Sequence, residues 1–237
     1  MTAQNIWALS KGEVVRQRLR AQATVTCLGI LETDFVLDIG CCEGFIASHL
    51  LKSSFFIGTD IIKAALLIAK QKVRQSNIDF VLADVTSLPF QAGSFDKITT
   101  LEVLEHLAKE KQEKLCSEID GILKEKGILL VSTPYKEQNR YATIINCAKF
   151  TAPWGHLCSF DEEKITRLLP NNYSLVSHYH LPNVPFISLS CAFQKLPFKL
   201  WSMLNNLLGR IREGYWVILK FKKRHNVKNI SGKRENA

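Results

Sequence analysis

The sequence predicts an α/β fold: a doubly wound, mostly parallel sheet with helices on both faces. Three observations predict it. Short apolar runs recur at 35–39, 55–60, 78–83, 97–101 and 128–132, each bounded by charge or glycine. Stretches with apolar residues at helical spacing lie between them, at 45–52, 61–75 and 109–124. The runs are apolar throughout rather than alternating, as strands covered on both faces are. Strands that alternate with helices of this length connect as parallel crossovers.

The elements follow in chain order. The first 33 residues read as helical, with Ser10 and Glu13 spaced as a capping box. The apolar patch 23–31 is short and follows Arg16, Arg18 and Arg20, so it does not read as a secretory leader. The helix at 109–124 is amphipathic and stops at Gly127. Beyond the fifth strand the pattern is less regular: a helix at 161–169, a strand at 173–179 and a last strand at 215–221. Between these two strands lies an insert, 181–214, in which Leu200, Trp201, Leu204, Leu207, Leu208 and Ile211 share a helical face. The chain thus divides into an N-terminal helical segment (1–33), a main domain (34–222) and a basic tail (223–237). The longest uncharged run, 168–194, contains Pro170, Pro182 and Pro185 and does not read as a membrane span.

Charge is unevenly placed. Residues 1–194 hold equal numbers of basic and acidic side chains, so 195–237 supply the whole net charge of +9. That segment reads either as a solvated tail or as a contact for an anionic partner, a membrane surface or nucleic acid. With the amphipathic face it adjoins, it suits peripheral contact with an anionic membrane. The seven cysteines include no C-x-x-C pair, which argues for reduced thiols and a cytoplasmic setting.

Doubly wound sheets bind ligands beyond the carboxyl ends of their strands, and chemistry-bearing residues cluster there. Val36-Leu-Asp-Ile-Gly-Cys-Cys-Glu-Gly44 ends the first strand. Gly40 and Gly44 let the backbone turn tightly around Cys41 and approach a ligand. A dinucleotide site would want G-x-G-x-x-G, but Cys42 replaces the middle glycine, and Asp38 suits a cationic ligand better than a phosphate. Asp60 closes the second strand and can accept both hydroxyls of a ribose. Asp84 follows the third and can accept from an adenine amino group, with Ile61 and Val85 placed to sandwich the ring. Singly, such an aspartate reads equally well as a helix cap; three past successive strands do not.

The segments VLDIGCCEG, IGTD, LADVTSLPF, SFDKITTLEVLEHL and GILLVSTPY, in this order from Val36 to Tyr135, resemble the class I S-adenosylmethionine-dependent methyltransferases. The resemblance is nearest to methyltransferase type 11 and the ubiquinone-biosynthesis O- and C-methyltransferases. It implies a Rossmann-like, seven-stranded sheet with an antiparallel last strand, for which 215–221 is the candidate. It implies S-adenosylmethionine as cofactor, held by Asp38, Gly40, Cys41, Gly44, Asp60, Ile61, Asp84, Val85 and Leu101. Cys42 departs from the family's glycine and narrows the loop, which keeps a non-catalytic reading open.

Methyl transfer requires an aligned acceptor and removal of its proton. Glu102, Glu105 and His106 follow the fourth strand, and on a helical turn they would share one face. His156 stands in GHLCSF, just before the helix at 161–169. Three readings stand: a structural role, His106 or His156 as general base, or a divalent metal held by Glu102, Glu105, His106 and His156. Similar E-x-x-E-H segments ligate metal in some relatives, including small-RNA 2′-O-methyltransferases, and serve without metal in many others. The expected reaction is methylation of a small hydroxylated, sugar or lipid/quinone-like acceptor, with oxygen favoured and His106 and His156 as catalytic candidates. RNA methylation is an alternative, although the surplus charge lies outside the motif region and no base-stacking module is evident.

Overall fold

The structure, a computed structural model, describes residues 21–50, 55–136, 142–143, 150–151, 156–182, 200 and 214–225. The capping box at Ser10, the amphipathic face of the 181–214 insert apart from Leu200, and the tail beyond 225 lie outside them.

Residues 21–28 form a helix, α1. The strands β1 (Phe35–Ile39), β2 (Phe55–Asp60), β3 (Ile78–Leu82), β4 (Phe95–Leu101) and β5 (Leu123–Pro134) alternate with α2 (Lys63–Lys72) and α3 (Lys109–Ile122). A two-stranded pair, β6 (Ala142–Thr143) and β7 (Phe150–Thr151), precedes α4 (Glu162–Leu168), β8 (Tyr173–Pro182) and β9 (Gly214–Lys223). The seven-stranded sheet has the order β3-β2-β1-β4-β5-β9-β8. β1 to β5 are mutually parallel, whereas β9 pairs antiparallel with both β5 and β8. The last strand is therefore antiparallel, as expected, and lies inside the sheet rather than at its edge.

The two-residue period of the strands sorts side chains to opposite faces. Leu129 and Val131 of β5, with Val217, Leu219 and Phe221 of β9, join Leu115 and Ile119 of α3 and Ile165 of α4. On the other face Leu130 and Ile218 meet Ala23, Cys27 and Leu28 of α1. Val36, Phe56 and Phe80 pack with Leu66 and Ala69 of α2. Charge ties α1 to the sheet as well. The Lys97 ammonium, buried in β4, donates to the Gly29 carbonyl and to Asp34 Oδ2, both at 2.5 Å.

The described part of the N-terminal helix ends at Leu28 rather than at 33, α2 is shorter than the expected 61–75, and two further elements differ more. The helix at 45–52 is, in its described part, a single 3-10 turn, Ala47–His49. The Phe45 carbonyl is engaged by Ser48 Oγ (2.8 Å) and His49 Nδ1 (2.9 Å), and the His49 amide bonds Ile46 instead. Side chains that compete for a helical carbonyl favour the tighter turn. The helix at 109–124 ends at Ile122 rather than at Gly127. Leu123 already pairs with Phe95, and the residues up to Ile128 bulge out of register, with Lys126 at φ 66°.

Candidate active site

The strand order reverses between β1 and β4, and the crevice beyond their carboxyl ends is where such sheets bind ligands. The loop after β1 enters it under close control. The amides of Gly40 and Cys41 both donate to the Thr59 carbonyl of β2, at 2.8 and 3.0 Å. Gly40 adopts φ 76°, and a Cβ there would meet Val103 Cγ2 at 2.4 Å, so the loops after β1 and β4 interlock at a glycine. Gly44 adopts φ 71° and is closed in by Phe80 and Ala69. Cys42 adopts φ 48°, a left-handed conformation that glycine takes freely and a side chain resists. Burial, and after it the Asp60 charge, push its thiol above the ordinary cysteine range, so it stays protonated.

Asp60 joins two loops: Oδ2 accepts the Cys42 amide and Oδ1 the Ile62 amide, each at 2.9 Å. Each carboxylate oxygen keeps a second lone pair, so the group can still receive a ribose diol. Asp38 is 3% exposed, and Thr99 Oγ1 donates to its Oδ1 at 2.6 Å. Asp84 Oδ1 accepts both the amide and the hydroxyl of Thr86 at 2.8 Å. Those bonds hold the Asp84 carboxyl below the usual range and so ionised at neutral pH. Ile61, 63% exposed, lies just past β2 beside Asp60, and Val85, half-buried, just past β3 beside Asp84. Leu101, at the end of β4, is half-buried. The arrangement thus fits an adenosine: a diol acceptor, an amino acceptor and apolar side chains between them.

Beyond β4 the structure separates the acidic residues that the sequence placed on one helical face. Glu102 is not helical; it adopts φ 56°, its amide bonds the Ser132 carbonyl, and its Oε1 accepts from Ser132 Oγ at 2.9 Å. The helical turn begins later, at Leu104–His106. Glu105 is buried and His106 exposed, and both approach His156 of a distant segment. The His106 and His156 rings meet edge-on with centroids 4.8 Å apart. The Glu105 carbonyl accepts the Leu157 amide at 2.6 Å, which fixes that approach. Gln112 of α3 locks the same corner, its amide donating to the carbonyls of Leu104 (3.1 Å) and Leu107 (2.8 Å). One ligand atom each from Glu105, His106 and His156 lie within 4.8 Å of one another; Glu102 is not among them. The sequence reading passed over Thr59, Thr99, Gln112 and Ser132. Their signal is a polar residue at a position whose neighbours in the pattern are core, visible only once the pattern is trusted.

Fold and crevice together define a doubly wound α/β protein whose glycine and aspartate loops gather at the switch point of its sheet. Residues 37–131 match the family model described as a methyltransferase domain. Over 123 residues the chain is 29% identical to the ubiquinone biosynthesis O-methyltransferase of Glaesserella parasuis, covering 48% of this chain and 51% of that protein. The chain spans about half the length of the curated relatives it matches. A chain in the complex between the Haloferax volcanii Trm112 methyltransferase activator and its candidate methyltransferase superposes with TM-score 0.68 at 18% identity, covering 91% of this chain and 93% of that one. The N-methyltransferase NodS of Bradyrhizobium japonicum, in complex with S-adenosyl-L-homocysteine, superposes with TM-score 0.60 at 18% identity, covering 90% and 87%. The match to a methyltransferase domain thus lies over residues 37–131, on a fold that these solved structures share.

Proposed function

We propose that the chain transfers the methyl group of S-adenosylmethionine to an oxygen of a small acceptor. The observation that carries this reading is the meeting of Asp60 with the Gly40–Gly44 loop at the switch between β1 and β4. When bound, the sulfonium supplies an electrophilic methyl group; the rest is alignment and proton removal. In this reading Asp60 accepts the ribose hydroxyls, Asp84 the adenine amino group, and Ile61 and Val85 cover the ring. Asp38 offers negative charge to the cationic amino-acid end, near Gly40, Cys41, Gly44 and Leu101. His106 or His156 takes the proton of the acceptor hydroxyl as the bond to carbon forms. The likeness to a ubiquinone biosynthesis O-methyltransferase supports oxygen as the target.

The convergence of Glu105, His106 and His156 supports a second reading of the same corner, a divalent metal site. Two imidazoles and a carboxylate are a common donor set for zinc and its neighbours in the first row. Donors on a tetrahedral ion at ~2.1 Å stand roughly 3.4 Å apart, so these side chains would close by about an ångström. An ion there would polarise the acceptor hydroxyl, and the three residues would be its ligands rather than its base.

The test of the main reading is binding first and turnover second. Calorimetry should show S-adenosylmethionine and S-adenosylhomocysteine binding to the intact chain. Asp60→Ala, which removes charge-assisted bonds worth roughly 1.5–3 kcal/mol each, should weaken both by at least about tenfold. A folded Asp60→Ala protein with undiminished affinity would mean that the cofactor lies elsewhere. Binding without methyl transfer to any hydroxylated acceptor tried with labelled cofactor would leave a non-catalytic binder.

A further inference from the structure

The segment that brings His156 to His106 also builds a second polar group, at the end of β5, that the reading above does not use. Tyr135 and Lys136 follow Pro134 out of the sheet. Phe160 holds them both: it bridges Tyr135, and its carbonyl accepts the Lys136 amide at 2.8 Å. Lys136 adopts φ 45° there, a conformation that a side-chain-bearing residue keeps only where its surroundings impose it, often at a binding site. Its ammonium lies 5.1 Å from the centroid of the Tyr135 ring. That ring meets His180 edge-on at 4.6 Å, and His178, two residues earlier on the same face of β8, meets His180 at 5.6 Å.

The acids near this group each have a partner of their own, although burial lowers the His180 pKa and so leaves Glu162 charged. Glu162 Oε1 lies 2.9 Å from His180 Nε2, and Asp161 Oδ1 accepts the Lys164 amide at 2.8 Å as the cap of α4. Among the described residues no carboxylate forms an ion pair with Lys136. The Tyr135 phenol beside it and, after it, the charges of Glu162 and Asp161 raise the Lys136 pKa above the usual lysine value, so the ammonium persists at neutral pH. What faces outward is therefore a cation beside a phenol and an imidazole, a donor set for an anion.

We propose that Lys136, Tyr135 and His178 form a subsite for a carboxylate or phosphate carried by the acceptor. The proposal rests on the methyl-transfer reading and adds a second recognised end to the acceptor. The reach follows from the backbone. Leu157 is bonded to Glu105 and Phe160 to Lys136, and the four residues from 157 to 160 span at most about 14 Å when extended. The backbone points that carry His106 and Lys136 are thus close enough for one small acceptor to meet both side chains.

The probes are hydrocaffeate, its methyl ester and inorganic phosphate, each titrated into the full chain saturated with S-adenosylhomocysteine. The ring resonances of His178 and His180 are followed by NMR and assigned with His178→Gln. Hydrocaffeate or phosphate should shift them saturably, and the uncharged ester should bind at least about tenfold more weakly than the acid. A response to hydrocaffeate but not to phosphate assigns a carboxylate; the reverse assigns a phosphate. Lys136→Met should remove the preference for acid over ester while leaving S-adenosylhomocysteine affinity unchanged. Saturable but equal binding of acid and ester, no response to either anion, or undiminished binding of the responding anion in Lys136→Met overturns the subsite. Failure of S-adenosylhomocysteine to bind at the outset would instead overturn the methyl-transfer reading on which it rests.

Discussion

Cys42 shows how one side chain can stand where backbone geometry asks for none. Its φ of 48° is a left-handed value, and an L-residue there costs about 1–2 kcal/mol. What the position contributes to the site is its amide, donated to Asp60 Oδ2, and any residue but proline retains that. Cys42→Gly should therefore raise stability by up to about 1 kcal/mol, the relief of strain being partly offset by the freer unfolded chain. Cofactor affinity should hold or tighten. Urea denaturation and calorimetry on the same sample check both, and a marked loss of affinity would show that the thiol touches the ligand. Glu102 carries the same kind of strain for a different reason. Ser132 takes its carboxylate and its amide, and nothing in the text E-V-L-E-H reveals that its first glutamate faces a neighbouring strand. Spacing alone put Glu102 beside Glu105 and His106; a dihedral angle separated them.

Between elements, the tie between α1 and the sheet depends on an ion pair in an apolar setting. Lys97 and Asp34 have side chains only 9% and 10% exposed, and Asp34 Oδ2 also accepts the Leu31 amide at 2.6 Å. Removing one member leaves the other charge buried and unmatched, at a cost of about 3–5 kcal/mol. Lys97→Ala should lose that much in denaturant unfolding, and Lys97→Met combined with Asp34→Asn should recover most of it. A single-mutant loss below about 1 kcal/mol would show that water reaches the pair. Such a tie was not legible in the sequence, where Lys97 marks only the start of an expected strand. The strands β1 and β2 were legible to the residue, because a run buried on both faces and closed by glycine or aspartate has few other readings. The helix after β1 was misread, since its periodicity is helical while Ser48 and His49 draw off the carbonyl that would continue it. Periodicity reports which face is buried and is silent on side chains that compete for the backbone.

Across the whole molecule, the corner containing His106 exists only when distant segments have come together, because His156 arrives on a segment bracketed by Glu105 and Lys136. A ligand held by such a corner binds the folded chain alone and stabilises it by mass action. If Glu105, His106 and His156 hold a metal, Zn²⁺ or Mn²⁺ at a hundred times its dissociation constant should add about 2.7 kcal/mol. The thermal midpoint should rise accordingly, a chelator should reverse the rise and abolish turnover, and His156→Ala should show neither effect. An unmoved midpoint, with full turnover in chelator, would leave His106 and His156 as base and scaffold. The position of β9 has a consequence of another kind, for the order in which a growing chain can finish itself. β5 and β8 are both made before β9, and in the sheet each pairs with it rather than with the other. Until residues 214–223 emerge from the ribosome, two strands wait with open edges, and the lysine that reaches Cys27 across 193 residues of chain, Lys220, has yet to arrive. Contacts of such long range are slow to form, and open edges recruit other chains. This domain is therefore most exposed to misassembly in the interval between the synthesis of β8 and that of β9.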